Sequence, residues 1–104
     1  MYKDDKILCV ANHYEKKYFL NPEFDKLPPS IKEELREIAV RFTGIYGGLF
    51  VISFDEEKML QVSIDFLEED IMYDEISSRL KVKEVIREHE ELFESLELFY
   101  QSFM

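Results

Sequence analysis

The sequence predicts an α+β domain in which a four-stranded antiparallel sheet carries helices on one face. The prediction rests on two pairs of strand-like apolar segments, a helical segment between the pairs, and a long C-terminal stretch of helical periodicity. The predicted order is therefore ββαββα, ending in a long C-terminal helix. No linker or shift in composition divides residues 1–104, so we expect a single domain.

The first pair of strands is predicted near the N-terminus. Residues 7–11 form a compact apolar run with β-branched members, which is typical of a buried strand. Residues 12–15 favour a turn, and residues 16–20 return as a more exposed strand whose two lysines suit a sheet edge. Cys9, the only cysteine, lies inside the first strand, so we interpret it as a buried structural thiol and exclude an intrachain disulfide.

The first helix is predicted to begin after the prolines Pro28 and Pro29. Ser30 and Glu33 have the spacing of a capping box, in which each side chain accepts a hydrogen bond from the other residue's backbone amide. Apolar residues then recur at helical spacing between Ile31 and Ile45. The glycines of the chain fall where this helix must end and the chain must reverse: Gly44, Gly47 and Gly48.

The second pair of strands follows these glycines. Residues 49–54 are almost continuously apolar, which predicts the most central strand. Residues 55–58 have the composition of a turn, and apolar and polar residues alternate over 60–66. One face of this last strand is therefore packed and the other is solvated, as expected of an antiparallel sheet.

The last third of the chain carries an apolar row at alternating spacings of three and four, with residues that widen it. The row contains Val82, Val85, His89, Leu92, Leu96, Phe99 and Phe103, widened by Ile86, Phe93 and Tyr100. A continuous helix from Asp74 to Phe103 would span about 45 Å. A domain of this size is about 34 Å across, so we expect the helix to overhang its own domain. Neither Pro nor Gly lies within it to cause a kink.

The apolar side chains on the overhanging part of the helix would be exposed to water unless another protein packs on them. We expect an identical chain to be that partner. The predicted homodimer interface consists of His89, Leu92, Phe93, Leu96, Phe99, Tyr100 and Phe103. We interpret His89 as a partly buried histidine that is hydrogen-bonded to a neighbouring group. In the alternative interpretation, a buried neutral His89 sets the register of the helices or responds to pH.

The charge of the chain narrows the range of partners. The net charge of −10 is spread along the sequence and repels phosphate backbones, so we expect neither a nucleic-acid nor a membrane partner. The apolar run near the N-terminus is too short for a signal peptide, and we expect a cytoplasmic location. The leading hypothesis is a non-enzymatic interaction module that self-associates through its C-terminal helix, with another protein as a further candidate partner.

Two other functional classes are compatible with the sequence. A small-ligand-binding protein or an enzyme would gather polar side chains in a pocket between sheet and helices, from His13, Tyr14, Tyr73, Asp74 and His89. An acidic mimic would instead occupy the site of a basic partner. No motif assigns a catalytic residue or a cofactor. The acidic stretch 68–75 has neither the glycine nor the spacing of a calcium loop, so we predict a structural charge cluster and no metal site.

Short sequence features along nearly the whole chain carry a resemblance to a known family. They are Cys9-Val10-Ala11-Asn12, Leu27-Pro28, Gly47-Gly48, Phe54-Asp55 and Tyr73-Asp74-Glu75-Ile76. Because these features occur in this order, the chain resembles a family of short bacterial proteins that carry a domain-of-unknown-function label. The resemblance implies a bacterial cytoplasmic protein and no activity, ligand or catalytic residue.

Overall fold

The computed structural model describes residues 5–103 of the chain. Strands and helices follow one another as β1 (Lys6–Asn12), β2 (Lys17–Leu20), α1 (Pro29–Tyr46), β3 (Leu49–Phe54), β4 (Leu60–Asp65), α2 (Glu75–Glu88) and α3 (Glu90–Phe103), with a 3-10 turn at Pro22–Phe24. The predicted α+β class and the predicted strand and helix order are confirmed. The C-terminal segment forms a pair of helices in place of one.

The four strands form one antiparallel sheet in the order β2-β1-β3-β4. Cys9 of β1 pairs with Leu20 of β2 on one side and with Ile52 of β3 on the other. A bulge between Ile7 and Cys9 shifts the register of β1 against β3. The apolar strand β3 lies inside the sheet, as predicted, and β2 and β4 form its edges.

The hydrophobic core lies on one face of the sheet. Phe50, Ile52 and Phe54 alternate along β3, so their side chains share that face. Residues from β1 and from all three helices pack against them; the core comprises Leu8, Cys9, Ala11, Phe24, Leu27, Leu35, Ile38, Ala39, Phe42, Phe50, Ile52, Phe54, Val85, Leu92, Phe93 and Leu96. The helices therefore cover one face of the sheet, in agreement with the predicted architecture.

The start of α1 differs from the predicted capping box. The helix begins at Pro29, its N-cap residue is Pro28, and no side chain caps it. A proline suits the first helical position because its fixed φ is already helical and its missing N–H would have no partner there. The helix therefore starts one residue before Ser30, and the prediction that Ser30 and Glu33 form a capping box is wrong.

The C-terminal segment breaks at His89, although it contains neither Pro nor Gly. His89 has φ −116° and ψ 27°, and its N–H donates to the Val85 carbonyl at the end of α2. Its own carbonyl accepts from the Phe93 N–H at 3.0 Å, so the same residue closes α2 and starts α3. The prediction of one uninterrupted helix from Asp74 to Phe103 is wrong. The break keeps the apolar side chains of α3 on the sheet of their own chain.

Candidate functional site

The residues predicted as a dimer interface lie mostly in the core of their own chain. Leu92, Phe93 and Leu96 are buried there. Phe99 and Tyr100 are half-buried against the same core, and the Tyr100 ring stacks on the Phe54 ring with centroids 4.3 Å apart. Leu92, Phe93 and Leu96 therefore pack within their own chain, whereas Phe99 and Tyr100 retain part of their surface in solvent.

The two other predicted interface residues lie at the ends of α3. Phe103 is exposed. His89 is half-buried at the break between α2 and α3, and its Nδ1 lies 3.9 Å from Oε2 of Glu34 on α1. Its ring centroid is 6.1 Å from that of Phe93. His89 is therefore partly buried beside a carboxylate, as the first interpretation expects, although the distance of 3.9 Å is too long for the predicted hydrogen bond.

A different apolar surface is exposed at the start of α2. We define the α2 apolar surface as Ile71, Met72, Ile76 and Leu80, whose side chains are between 60 and 89% exposed. Ile76 and Leu80 are four residues apart and share one face of the helix. The buried residues Ser78 and Val85 lie on the other side of α2. We did not predict this surface from the sequence, although the spacing of Ile76 and Leu80 was its signal.

Charges of opposite sign flank the α2 apolar surface. The loop before the helix carries only acidic charged residues, and the later turns of α2 carry most of its basic ones. The acidic group is Glu68, Glu69, Asp70 and Asp74, and the basic group is Arg79, Lys81, Lys83 and Arg87. The same turns of α2 also carry Glu84 and Glu88, and Glu84 Oε1 lies 3.5 Å from Lys81 Nζ. Lys83 and Arg87 continue the face of Ile76 and Leu80 at helical spacing, so on this face the acidic loop and these two cations lie at opposite ends of the α2 apolar surface.

Hydrogen bonds within the protein engage parts of the predicted charge cluster. The Asp74 carboxylate accepts from the Ser77 N–H at 3.0 Å as the N-cap of α2, and this hydrogen bond holds the Asp74 pKa below its ordinary value. Glu75 Oε2 lies 2.6 Å from Arg79 Nη2 one turn later. Asp70 Oδ2 accepts from the Tyr14 hydroxyl at 2.6 Å. Among residues 5–103, no three His, Cys, Asp or Glu side chains are grouped so as to hold a metal ion.

The side chains of the enzyme hypothesis are divided between two ends of the fold. The His13 ring lies against Gly47, beyond the C-terminal end of α1, and Tyr73 stacks on Phe66 with centroids 4.6 Å apart. His89 faces Glu34, near the start of α1. Gly47 lies 13 positions after Glu34 along α1 and its C-cap, which corresponds to about 20 Å. The two histidines therefore do not share a site in the described structure.

The depression beside His89 does not contain the polar side chains that the enzyme hypothesis predicts to lie together. It has a volume of about 770 Å³ at the junction of α2 and α3, and it contains none of the other four predicted pocket residues. Five carboxylate side chains line it together with Arg87 and His89: Glu34, Glu88, Glu90, Glu91 and Glu94. No nucleophile lies among its lining residues apart from the Ser95 hydroxyl.

Cys9 is buried, which confirms its interpretation as a structural thiol. Burial raises the pKa of the Cys9 thiol to about 12. The thiol is therefore protonated at neutral pH, and a protonated buried thiol is a poor nucleophile.

No helix within residues 5–103 has the length and apolar character needed to cross a membrane.

Comparison with known proteins identifies the family of the chain. Neither a curated protein nor a solved structure matches the chain. A family model covers residues 5–104 and is described as a family of unknown function, DUF6145. The chain belongs to this family, as its resemblance to proteins with a domain-of-unknown-function label predicted.

Proposed function

We propose that the protein is a non-enzymatic cytoplasmic interaction module that self-associates through the α2 apolar surface. The exposure of Ile71, Met72, Ile76 and Leu80 carries the proposal. Covering one such side chain contributes about 1.5–3 kcal/mol relative to leaving it in water. The proposal keeps self-association in the C-terminal helical region but moves the contact from α3 to the outer face of α2.

The charge pattern of α2 favours an identical chain as the partner. In a two-fold contact, the same patch of each copy meets itself in the opposite direction. Antiparallel packing of two α2 helices would set Ile76 of one copy against Leu80 of the other. The acidic loop of each copy would then approach the basic residues Lys83 and Arg87 of its partner. Local attraction at both ends of the contact would offset part of the repulsion between two acidic chains.

Sedimentation velocity of the full chain at micromolar concentration tests the proposal. We expect a dimer for the natural sequence and a monomer for Leu80→Glu, because the new carboxylate would be buried in the contact. Leu98→Glu on α3 is the matched control, since Leu98 is 64% exposed and lies outside the α2 apolar surface. A monomeric natural sequence, or equal effects of the two substitutions, would contradict the proposal.

A charge exchange tests the antiparallel arrangement separately. Arg87→Glu places like charges opposite the acidic loop of the partner, so we expect weaker dimers that strengthen as salt is added. Adding Glu69→Lys to that variant restores opposite charges, because antiparallel packing with Ile76 opposite Leu80 sets residue 87 against residue 69, and we expect the dimer to recover. If the double variant is weaker than Arg87→Glu alone, the helices do not pack in this direction.

A further inference from the structure

A basic cavity lies between the β1–β2 hairpin and α1. It has a volume of about 270 Å³. Lys16, Lys17 and Arg36 line it together with His13, and no carboxylate is among its lining residues. In a chain of net charge −10, this gathering of three permanent cations around one depression is a local reversal of the overall charge.

The hairpin holds its basic groups in place through its backbone. Asn12 Oδ1 accepts from the N–H groups of Tyr14 at 2.9 Å and Glu15 at 3.2 Å, which fixes the turn. Lys16 has a φ of 55°, a conformation that side-chain-bearing residues adopt rarely. Lys16 Nζ lies 3.2 Å from His13 Nδ1. The turn therefore brings the ammonium group and the imidazole together at the edge of the cavity.

The His13 end of the turn is anchored to the chain reversal after α1. The His13 N–H donates to the Gly48 carbonyl at 2.9 Å. Its ring packs on Gly47, whose missing Cβ would lie 3.6 Å from His13 Cδ2. The basic wall of the cavity is thus joined to the sheet and to the end of α1.

One face of α1 forms the opposite wall. Arg36, Val40 and Gly44 follow at intervals of four residues and all line the cavity. Gly44 leaves this wall open, since no atom lies within 4 Å of the position its Cβ would take. Arg36 is paired with Glu33 only at 3.7 Å, and both side chains are more than half exposed. Such a pair is weak in water, so the Arg36 guanidinium is available to a ligand.

We propose that this cavity binds a compact dianion with oxyanion groups, which is the chemistry shared by phosphate monoesters and short dicarboxylates. The Arg36 guanidinium presents paired N–H donors that match two oxygens of such a group. The ammonium groups of Lys16 and Lys17 supply further charge and donors. The volume is small for a ligand pocket, which favours an anion with few carbon atoms. The proposal is independent of self-association through α2.

Isothermal titration calorimetry of the full chain tests the proposal with three probes at constant ionic strength. Glycerol 3-phosphate and succinate represent the two dianion sources, and glycerol is the neutral control. We expect one or both dianions to bind and glycerol not to bind. We also expect Arg36→Gln to weaken dianion binding at least about tenfold, as the loss of a charged hydrogen bond does. The relative affinities of the two dianions identify which source the cavity prefers.

Two further variants distinguish dianion binding in the cavity from nonspecific attraction of anions to positive charge. Arg41→Gln makes the same change of charge on α1 outside the cavity lining, and we expect it to leave dianion binding unchanged. Gly44→Leu keeps the charge and fills part of the cavity, so we expect it to abolish binding while the circular dichroism spectrum is retained. Failure of both dianions to bind at 10 mM (on the order of the weakest useful affinities), or equal losses for Arg36→Gln and Arg41→Gln, would overturn the proposal.

Discussion

The Tyr14 hydroxyl donates a hydrogen bond of 2.6 Å to the Asp70 carboxylate, 56 residues along the chain. The same oxygen accepts from the Leu67 N–H at 3.2 Å. One phenol thus fastens the loop after β4 to the β1–β2 hairpin. Asp70 directly precedes Ile71 and Met72, so this contact also positions the start of the α2 apolar surface.

Tyr14→Phe should lower the free energy of unfolding by about 1–2 kcal/mol, because it removes an acceptor for Leu67 and the donor to a carboxylate. Urea unfolding followed by circular dichroism measures the change. Tyr73→Phe is the matched control. The Tyr73 hydroxyl is buried without a hydrogen-bond partner among the described residues, so its removal should leave the stability unchanged or raise it. Equal losses in the two variants would show that the Tyr14 hydroxyl has no special role.

The sheet and the first helix were predictable because their signals are local. The alternation of Leu60, Val62 and Ile64 with polar residues defines one packed face whatever lies above it. The continuous apolar run of β3 indicates a strand buried on both sides, and β3 does lie inside the sheet. The proline pair marks the start of α1 to within one residue, although it replaces the side-chain cap that Ser30 suggested.

The break at His89 has no comparable local signal. Every residue from Glu75 to Phe103 is compatible with a helix, so the sequence does not mark the interruption. The side chains of Val85 before it and Leu92 after it both pack into the same core. The break also changes where the predicted interface residues lie. A straight helix would carry Leu96 and Phe99 beyond the domain, whereas the broken one returns them to the core. The carboxylate beside His89 comes from Glu34, 55 positions earlier, and only the fold brings the two together.

Substitution of Gly48 by alanine should destabilise the protein strongly. Gly48 has a φ of 70°, and a Cβ there would lie 2.6 Å from the Asp65 backbone oxygen and 2.8 Å from Tyr73 Cε1. The positive φ alone costs about 1–2 kcal/mol for an L-residue, and the backbone clash adds to it. We expect a loss of at least about 2 kcal/mol in the free energy of unfolding, measured in urea.

Gly44→Ala is the matched control for Gly48→Ala and should have the opposite sign. Gly44 lies within α1, its φ is not positive, and its missing Cβ would meet nothing within 4 Å. Alanine is favoured over glycine inside a helix by about 0.5–1 kcal/mol. A loss of stability in Gly44→Ala would contradict the open wall that we assign to the basic cavity.

The Cys9 thiol should resist modification in the folded protein. Burial raises its pKa to about 12, so hardly any thiolate exists at pH 8 and no reagent reaches it without opening of the fold. We expect iodoacetamide to leave the native chain unlabelled over hours and to label it rapidly in 6 M guanidinium, about the concentration that unfolds small domains. Mass spectrometry measures the label. Rapid labelling under native conditions would show that Cys9 is accessible.

The raised thiol pKa also predicts that Cys9 lowers the stability of the protein at alkaline pH. The unfolded thiol loses its proton near its ordinary pKa of 9.0, while the folded thiol retains it to about 12. Stability from the neutral thiol is therefore present below pH 9 and declines above it, because the unfolded state then binds fewer protons than the folded state. Cys9→Ala should reduce that decline between pH 9 and 10, measured by urea unfolding. An unchanged slope would contradict the assignment.

The Asp74 cap gives the start of α2 an acid-sensitive contribution to stability. Its hydrogen bond from the Ser77 N–H lowers the carboxyl pKa below 3.8, so the folded state binds the proton less readily than the unfolded state. The contribution is therefore complete above about pH 4 and is lost as pH falls through the folded pKa. Asp74→Ala should lower the Tm at pH 7, and its difference from the natural sequence should shrink towards pH 2.

Asp74→Asn separates the cap from the charge. Asparagine caps helices about as well as aspartate but does not titrate, so we expect this variant to keep most of the Tm at pH 7. The Tm of Asp74→Asn should then fall less steeply than that of the natural sequence between pH 4 and pH 2. Circular dichroism melts at half-unit intervals of pH measure both slopes. Parallel curves for the two proteins would mean that the charge of the Asp74 carboxylate does not stabilise α2.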